Sequence, residues 1–496
     1  MDTKLREAYS VDKFRASGHR IIDLLADHLQ QGLSGNQHGA LPWRSPESAM
    51  QEWTDFAQTS PDIGTFFQRV LAGSVCISDP RYMGHQVCLP APDAMLAGLL
   101  VDYLNNGSGV YEMGMAGTAM EQFVIRQTAK LFAWNDAADG FLTSGGTLAN
   151  LTALLAARSA KSSNNDWKNG TCKSLSVLVS DQAHYSVDRA ARIMGWGEAG
   201  ITRVPTGANF RMRVDLLPEI FRNSRSEGRE IIAVVGCAGT TSTGSFDDLP
   251  GIAEFCAANN LWFHVDGAHG AAVAFSRRHR SLVDGIAMAD SVTIDFHKML
   301  MTPVLCSALL FRNGQDSFRT FQLEADYLFG EKQSPQADCA ARYDLAKRTF
   351  ECTKAMMSAK IYSLMAIHGL PLLEAQVDHL HNLANVFAKL IANRPGFQLA
   401  MQPQSNIVCF RYVANATNGW LMNSQGCHED AISALTLKVR QALTQEGKHY
   451  IVQTKLRGQV WLRCVLTNPF TTSAEMESLL DAIQQLANKA MLADKQ

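Results

Sequence analysis

No uninterrupted apolar run in this chain approaches the ~20 residues that a membrane-spanning helix needs. Charge of one sign is not in excess either: 45 Lys and Arg face 47 Asp and Glu, a formal net charge of −2. That balance removes the electrostatic case for nucleic acid or an anionic membrane as a partner. No Cys-x-x-Cys pair occurs, and the eleven cysteines, an odd number, are scattered singly. The pattern disfavours both a disulfide framework and a zinc site. Most cysteines sit in apolar runs, such as Cys409 in Ile407-Val408-Cys409-Phe410, and read as small core residues in a reducing cytoplasm. The opening Met1-Asp2-Thr3-Lys4-Leu5-Arg6-Glu7 has no apolar core of the kind a signal peptide carries.

What is present is a series of short apolar runs, each followed by residues with chemistry. Ser291-Val292-Thr293-Ile294 closes on Asp295-Phe296-His297-Lys298. A lysine at the end of a buried strand loses hydration, which pulls its pKa down and makes it a good amine nucleophile towards an aldehyde. Leu261-Trp262-Phe263-His264-Val265 ends in Asp266, about one strand–crossover–strand unit upstream. An acid and a lysine at two such strand ends suit pyridoxal 5′-phosphate (PLP), the lysine holding its aldehyde and the carboxylate its pyridinium nitrogen.

Two further runs fit the same cofactor. Gly140-Phe141-Leu142-Thr143 reads as a strand, Ser144-Gly145-Gly146-Thr147 as a turn, and Leu148 to Arg158 as a helix. Strand, glycine turn and helix make a phosphate site, because backbone N–H groups and the helix dipole both favour an anion. The turn is neither a Walker A loop nor a GxGxxG, so nucleotide readings lose ground. Leu175-Ser176-Val177-Leu178-Val179-Ser180 is a strand candidate followed by Asp181-Gln182-Ala183-His184, whose imidazole could lie against a planar ring. Each piece alone has an ordinary structural explanation, as a solvated loop, a turn residue or a helix cap. Their order along one chain does not.

That order, Thr143–Thr147, Asp181–His184, Phe263–His269 and Asp295–Lys298, resembles the group II PLP-dependent amino-acid decarboxylases, the family of the glutamate, aromatic amino-acid, cysteine sulfinate and diaminobutyrate decarboxylases. The likeness spans nearly the whole chain. It includes Phe14-Arg15 and His19, Val110 to Gly114, Gly239 to Leu249, Leu462-Arg463 and Asn468-Pro469. The resemblance implies an α/β protein of PLP fold-type I, aspartate aminotransferase-like, whose large domain holds a mostly parallel seven-stranded sheet. It implies that Lys298 carries the cofactor as a Schiff base, Asp266 holds the ring nitrogen, and His184 stacks on the ring. It also implies that Gly146, Thr147 and His297 bind the phosphate, Ala268 packs beneath the ring, and Thr240 or Thr241 sits near the pyridine substituents. A loop tyrosine that protonates the product is expected between about 329 and 349, with Tyr343 the candidate and Tyr327 less favoured. Where many members have Gly-Arg-Arg, this chain reads Glu351-Cys352-Thr353-Lys354; Lys354 keeps a charge but not the planar fork that grips a carboxylate.

At 496 residues the chain exceeds one compact core. Residues 12–31 read as an amphipathic helix, with Phe14, Ile21, Leu25 and Leu29 at helical spacing. Residues 1–80 are expected to form a helical dimerisation segment, by resemblance. Residues 81–366 form the PLP domain, with strands at 175–180, 231–236, 261–265, 291–296 and 305–311 alternating with helices. Residues 367–496 form a small α+β domain with strands near 407–412 and 459–466; the second alternates Val460, Leu462, Cys464 and Leu466 against polar neighbours, like a half-buried antiparallel strand.

The expected reaction is decarboxylation of an L-amino acid to its amine and CO₂, with no metal, by a cytoplasmic homodimer whose active site lies at the interface. A small polar, acidic or diamino acid (2,4-diaminobutyrate, aspartate, glutamate) is favoured over an aromatic one, with residues near Tyr82, His85 and Leu89 deciding. Rivals are another fold-type I PLP lyase or aminotransferase, a decarboxylating aldehyde synthase, and a non-catalytic PLP-binding protein. A Rossmann dehydrogenase fits worst, for want of a glycine fingerprint and its acidic ribose partner.

Overall fold

The computed structural model describes residues 2–36, 39–171, 173–321, 343–413 and 428–493. It divides into two compact units. One comprises Met1–His85, Leu383–Gln402 and Val408–Gln496; the other comprises Gln86–Asn382 and Pro403–Ile407.

The second unit is built on a seven-stranded sheet. Its strands are β1 (Asp139–Thr143), β2 (Leu175–Ser180), β3 (Ile201–Val204), β4 (Glu230–Cys237), β5 (Trp262–Asp266), β6 (Ser291–Asp295) and β7 (Ser307–Phe311). The order across the sheet is β1-β7-β6-β5-β4-β2-β3. β7 is antiparallel to both its neighbours, and β2 to β6 pair in parallel. All six residues of β2 and all five of β5, β6 and β7 are buried. Helices cover such a sheet on both faces, which is why these strands read as continuous apolar runs. The helix Gly146–Lys161 lies on one face through Ala149, Ala153, Ala156 and Ala157, all fully buried with Phe141, Val177, Ala233 and Leu309. Small side chains let that helix approach closely.

Carboxyl ends of parallel strands point one way, so Thr143, Ser180, Cys237, Asp266 and Asp295 end on the same edge. Register fixes their heights. Thr143 and Asp295 both pair with Ser307 from opposite sides of β7, and Asp266 lies between Cys237 and Thr293.

The first unit begins with the short helix Thr3–Ala8, followed by helices Val11–Leu33, Pro46–Gln58 and Ile63–Gly73, whose N-caps Ser10, Ser45 and Asp62 each accept a hydrogen bond from the third residue on. Its sheet has the order β10-β11-β9-β8, with β8 (Phe397–Leu399), β9 (Ile407–Tyr412), β10 (Val452–Leu456) and β11 (Gln459–Val465). The expected alternation in β11 does not hold. Trp461 to Val465 are buried without interruption, Arg463 included, and the Arg411 guanidinium covers the Trp461 ring at 4.2 Å. Helix His428–Glu446 packs on this strand as well.

One glycine run does carry GxGxxG spacing, Gly195-Trp196-Gly197-Glu198-Ala199-Gly200, contrary to the expectation that none exists. It follows the helix Tyr185–Ile193 and precedes β3, the reverse of the strand–turn–helix order a dinucleotide requires. Among the described residues no helix is long and apolar enough to cross a membrane. No described group of three or more His, Cys, Asp or Glu could hold a metal ion.

Candidate active site

β1 ends at Thr143, and Ser144 and Gly145 turn the chain into the helix that starts at Gly146. Gly145 has φ +120°, a conformation that a side chain resists. At Gly146 an added Cβ would lie 3.0 Å from the Asp295 carboxylate and 3.3 Å from the Ala268 methyl. The turn is therefore a cradle that only glycine leaves open. As at any helix start, its first N–H groups have no intrahelical acceptor.

A cavity of about 300 Å³ opens on this turn. Gly146, Thr147, His184, Thr240, Thr241, Asp266, Ala268, His297 and Lys298 all line it, as do Ser144, Asn150, Tyr185, His269 and Asp295. The sequence-predicted residues thus come from the ends of five strands to one place. Tyr343 is the exception. It packs on Tyr111 at 6.0 Å between ring centroids and lines a separate recess with Asp139 and Asn313, at the opposite end of β1. Tyr327 lies outside the described residues. Tyr82 and His85 belong to the first unit, where both rings pack against Tyr450; Leu89 is buried in the second.

Lys298 is not an isolated buried ammonium. Its Nζ lies 3.0 Å from Asp295 Oδ2, and the Ser307 hydroxyl donates to the other oxygen of that carboxylate. Burial alone would push the Asp295 carboxyl up, but the Lys298 and His297 charges and the Ser307 hydrogen bond hold it below the usual range. Asp295 thus remains a carboxylate that balances the lysine.

Asp266 is 8% exposed and accepts from Asn150 Nδ2 at 3.0 Å and from the Ala268 N–H at 3.2 Å. Asn150 also donates to Ser186 Oγ at 2.9 Å, and its Oδ1 meets His264 Nε2 at 3.1 Å. His264 is two residues before Asp266 on β5, so both side chains share the face on which the Gly146–Lys161 helix packs. Burial lowers His264 to about 4, leaving it a neutral donor to Asn150. The sequence reading missed Asn150, Ser186 and this use of His264. The available signal was spacing, since Asn150 stands one helical turn beyond Gly146.

His184 caps the helix Tyr185–Ile193. Its Nδ1 accepts from the Ser186 N–H at 3.3 Å and lies 2.8 Å from Ser186 Oγ. Burial lowers its pKa, opposed by the Asp266 charge, so the ring is neutral. The Thr240 hydroxyl accepts from the Ser245 N–H and meets Thr243 Oγ1, which ties it into its own turn.

The sheet is that of an α/β protein of fold-type I, and its strand-end cavity gathers a lysine, a buried acid and a glycine turn at a helix start. Comparison with known proteins names the group. A family model described as the pyridoxal-dependent decarboxylase conserved domain matches residues 46–413. The chain belongs to that family, and is a PLP-dependent amino-acid decarboxylase. An L-2,4-diaminobutyrate decarboxylase of Rhizobium meliloti (strain 1021) is 32% identical over 86% of this chain and 84% of its own length. An aromatic-L-amino-acid decarboxylase of Bacillus atrophaeus is 27% identical over 98% of this chain and 97% of its own. A crystal structure of mouse CSAD matches with a TM-score of 0.88 at 26% identity, covering 96% of this chain and 99% of that one. The relatives' named substrates range from 2,4-diaminobutyrate and aspartate to cysteine sulfinate and aromatic amino acids.

Proposed function

We propose that the chain decarboxylates a small polar, acidic or diamino L-amino acid, with Lys298 holding the cofactor covalently and Asp266 keeping a proton on its ring nitrogen. The observation that carries this reading is the convergence of Lys298, Asp266, His184 and the Gly146–Thr147 turn on one cavity. Gly146, Thr147 and His297 would hold the phosphate; the open cradle at Gly146 supports that fit. His184, neutral and fixed by Ser186, would lie on the ring, with Ala268 opposite. Thr241 would serve the pyridine substituents, since the Thr240 hydroxyl is engaged in its own turn. Bound there, PLP supplies an electron sink for the bond that breaks at the substrate α-carbon. The protein's part is orientation: a pocket that directs the α-carboxylate out of the ring plane selects its loss over transamination. Lys298, with Asp295 beside it, would serve as a proton store in the described cavity.

The composition of the cavity wall argues for a polar substrate on the part that the cofactor would leave free. Apart from histidines, Tyr185 is the only aromatic residue among its described lining, so it offers little stacking surface for an aromatic side chain. A homodimer is the expected assembly: Phe14, Val11, Tyr9 and Trp43 in the first unit, and Leu96, Leu99 and Tyr103 in the second, leave large apolar side chains exposed. Seven of the eight described cysteines are buried, as suits a cytoplasmic chain. Purified enzyme supplied with PLP and single L-amino acids should release CO₂ fastest from aspartate, glutamate or 2,4-diaminobutyrate. Faster release from phenylalanine, tyrosine or tryptophan would overturn the substrate assignment.

A further inference from the structure

We propose that Glu351 and Lys354 are positioning residues that set the phosphate turn from behind, touching neither cofactor nor substrate. The inference rests on the reading of Ser144–Thr147 as the phosphate site. β1 is an edge strand, so on its outer side the main-chain groups of Leu142 have no neighbouring strand to bond. An ion pair takes that place. Lys354 Nζ lies 2.7 Å from Glu121 Oε1, both side chains being 3% exposed. The same ammonium donates to the Leu142 carbonyl, and the same Glu121 oxygen accepts the Leu142 N–H at 2.8 Å. Both backbone groups of one residue are thus held by one pair of opposite charges.

Three residues earlier, Glu351 grips the turn itself. Its Oε1 accepts from Ser144 Oγ at 2.8 Å, from the Ser144 N–H at 3.3 Å and from Thr143 Oγ1 at 3.3 Å. Neither Glu351 nor Lys354 lines the cavity. The segment that carries them is itself anchored, the Lys354 carbonyl accepting the Ser108 N–H at 2.9 Å. Clamped at Leu142 and again at Ser144, the chain has one place to make the Gly145 bend, and the Gly146 and Thr147 N–H groups are aimed by it. Lys354 is therefore committed to the strand and is not available to grip a substrate carboxylate.

The test is equilibrium titration of the apoprotein with PLP and with pyridoxal, which has the same ring and aldehyde but no phosphate. Glu351→Ala should weaken PLP by about tenfold or more, the size of a lost hydrogen bond to a charged acceptor, and shift pyridoxal by less than about twofold. Glu351→Gln keeps an acceptor for Ser144 and should restore wild-type PLP affinity. Lys354→Met alone strands a buried carboxylate and endangers folding, so the companion variant is Glu121→Met/Lys354→Met, which removes both charges and should also lose the phosphate preference. An unchanged ratio of PLP to pyridoxal affinity in Glu351→Ala, or an equal loss of both ligands, overturns the proposal. Wild-type protein with no preference for PLP over pyridoxal would instead remove the phosphate reading of the turn, and the positioning role of Glu351 and Lys354 with it.

Discussion

Replacing Asn150 by alanine tests how Asp266, the proposed partner of the ring nitrogen, is held. Asn150 is 1% exposed, and its amide bridges Asp266, Ser186 and His264 at 3.0, 2.9 and 3.1 Å. The change removes one hydrogen bond to a carboxylate, about 1.5–3 kcal/mol, and leaves the His264 N–H without its acceptor, about 1–3 kcal/mol. The apoprotein should therefore lose about 2.5–6 kcal/mol in denaturant unfolding. PLP affinity, followed by the visible absorbance of the bound cofactor, should fall by about tenfold or more, because one of the two donors that orient the carboxylate is gone. Asn150→Asp sharpens the test. It sets a second carboxylate against Asp266, a repulsion of about 4 kcal/mol at 4 Å for an effective dielectric constant of 20. Cofactor affinity in that variant should then depend on pH, improving as one of the pair takes a proton. Wild-type PLP affinity in both variants would refute the claim that this amide positions Asp266.

Other outcomes follow from the same geometry. Lys298→Ala should abolish turnover and the borohydride-reducible cofactor attachment, and wild-type CO₂ release in that variant would end the assignment. Gly146→Ala puts a methyl group 3.0 Å from the Asp295 carboxylate and 3.3 Å from Ala268; it should weaken PLP far more than pyridoxal, and equal binding of PLP to variant and wild type would count against the cradle. Burial holds His264, His381 and His449 at about 4, whereas an unfolded imidazole titrates near ~6.5. Their contribution to stability is whole above ~6.5 and is lost as pH falls towards ~4, because the unfolded chain takes the protons first. Asp247, raised by burial to about 6, acts in the opposite sense, its contribution being present below ~4 and lost as pH rises through 6. Denaturant midpoints across that range should fall towards acid, and less so in His381→Gln; an identical pH slope in that variant would show that the buried imidazole is not responsible.

Much of the site was legible because its residues follow strand ends. The runs 175–180, 291–295 and 407–412 are buried throughout since both faces of their strands are covered, and enough of their residues are apolar for local composition to mark them. The glycine turn, Asp266, His184 and Lys298 then stand out as chemistry attached to those ends. β3, β8 and β10 were not read. They are short or flanked by polar residues, and are strands because of the neighbours they pair with. In β11 the alternating letters suggested one wet face, but helix His428–Glu446 and Arg411 cover what composition leaves open.

The amino-acid order by itself pointed to the cofactor chemistry, because an amine, a carboxylate and a glycine turn between strand and helix are local features, each written in a few consecutive residues. The tertiary structure decided how those groups are held. Asn150 meets Asp266 and His264 across 116 and 114 residues, Glu351 reaches Ser144 across 207, and Lys354 reaches Glu121 across 233. Hydrogen bonds and ion pairs at such separations depend on where strands and helices pack, and no window of neighbouring residues contains both partners. The same physics moved Tyr343 away from the cavity: its place is set by the Tyr111 ring and by the far end of β1, not by its distance along the chain from Lys298.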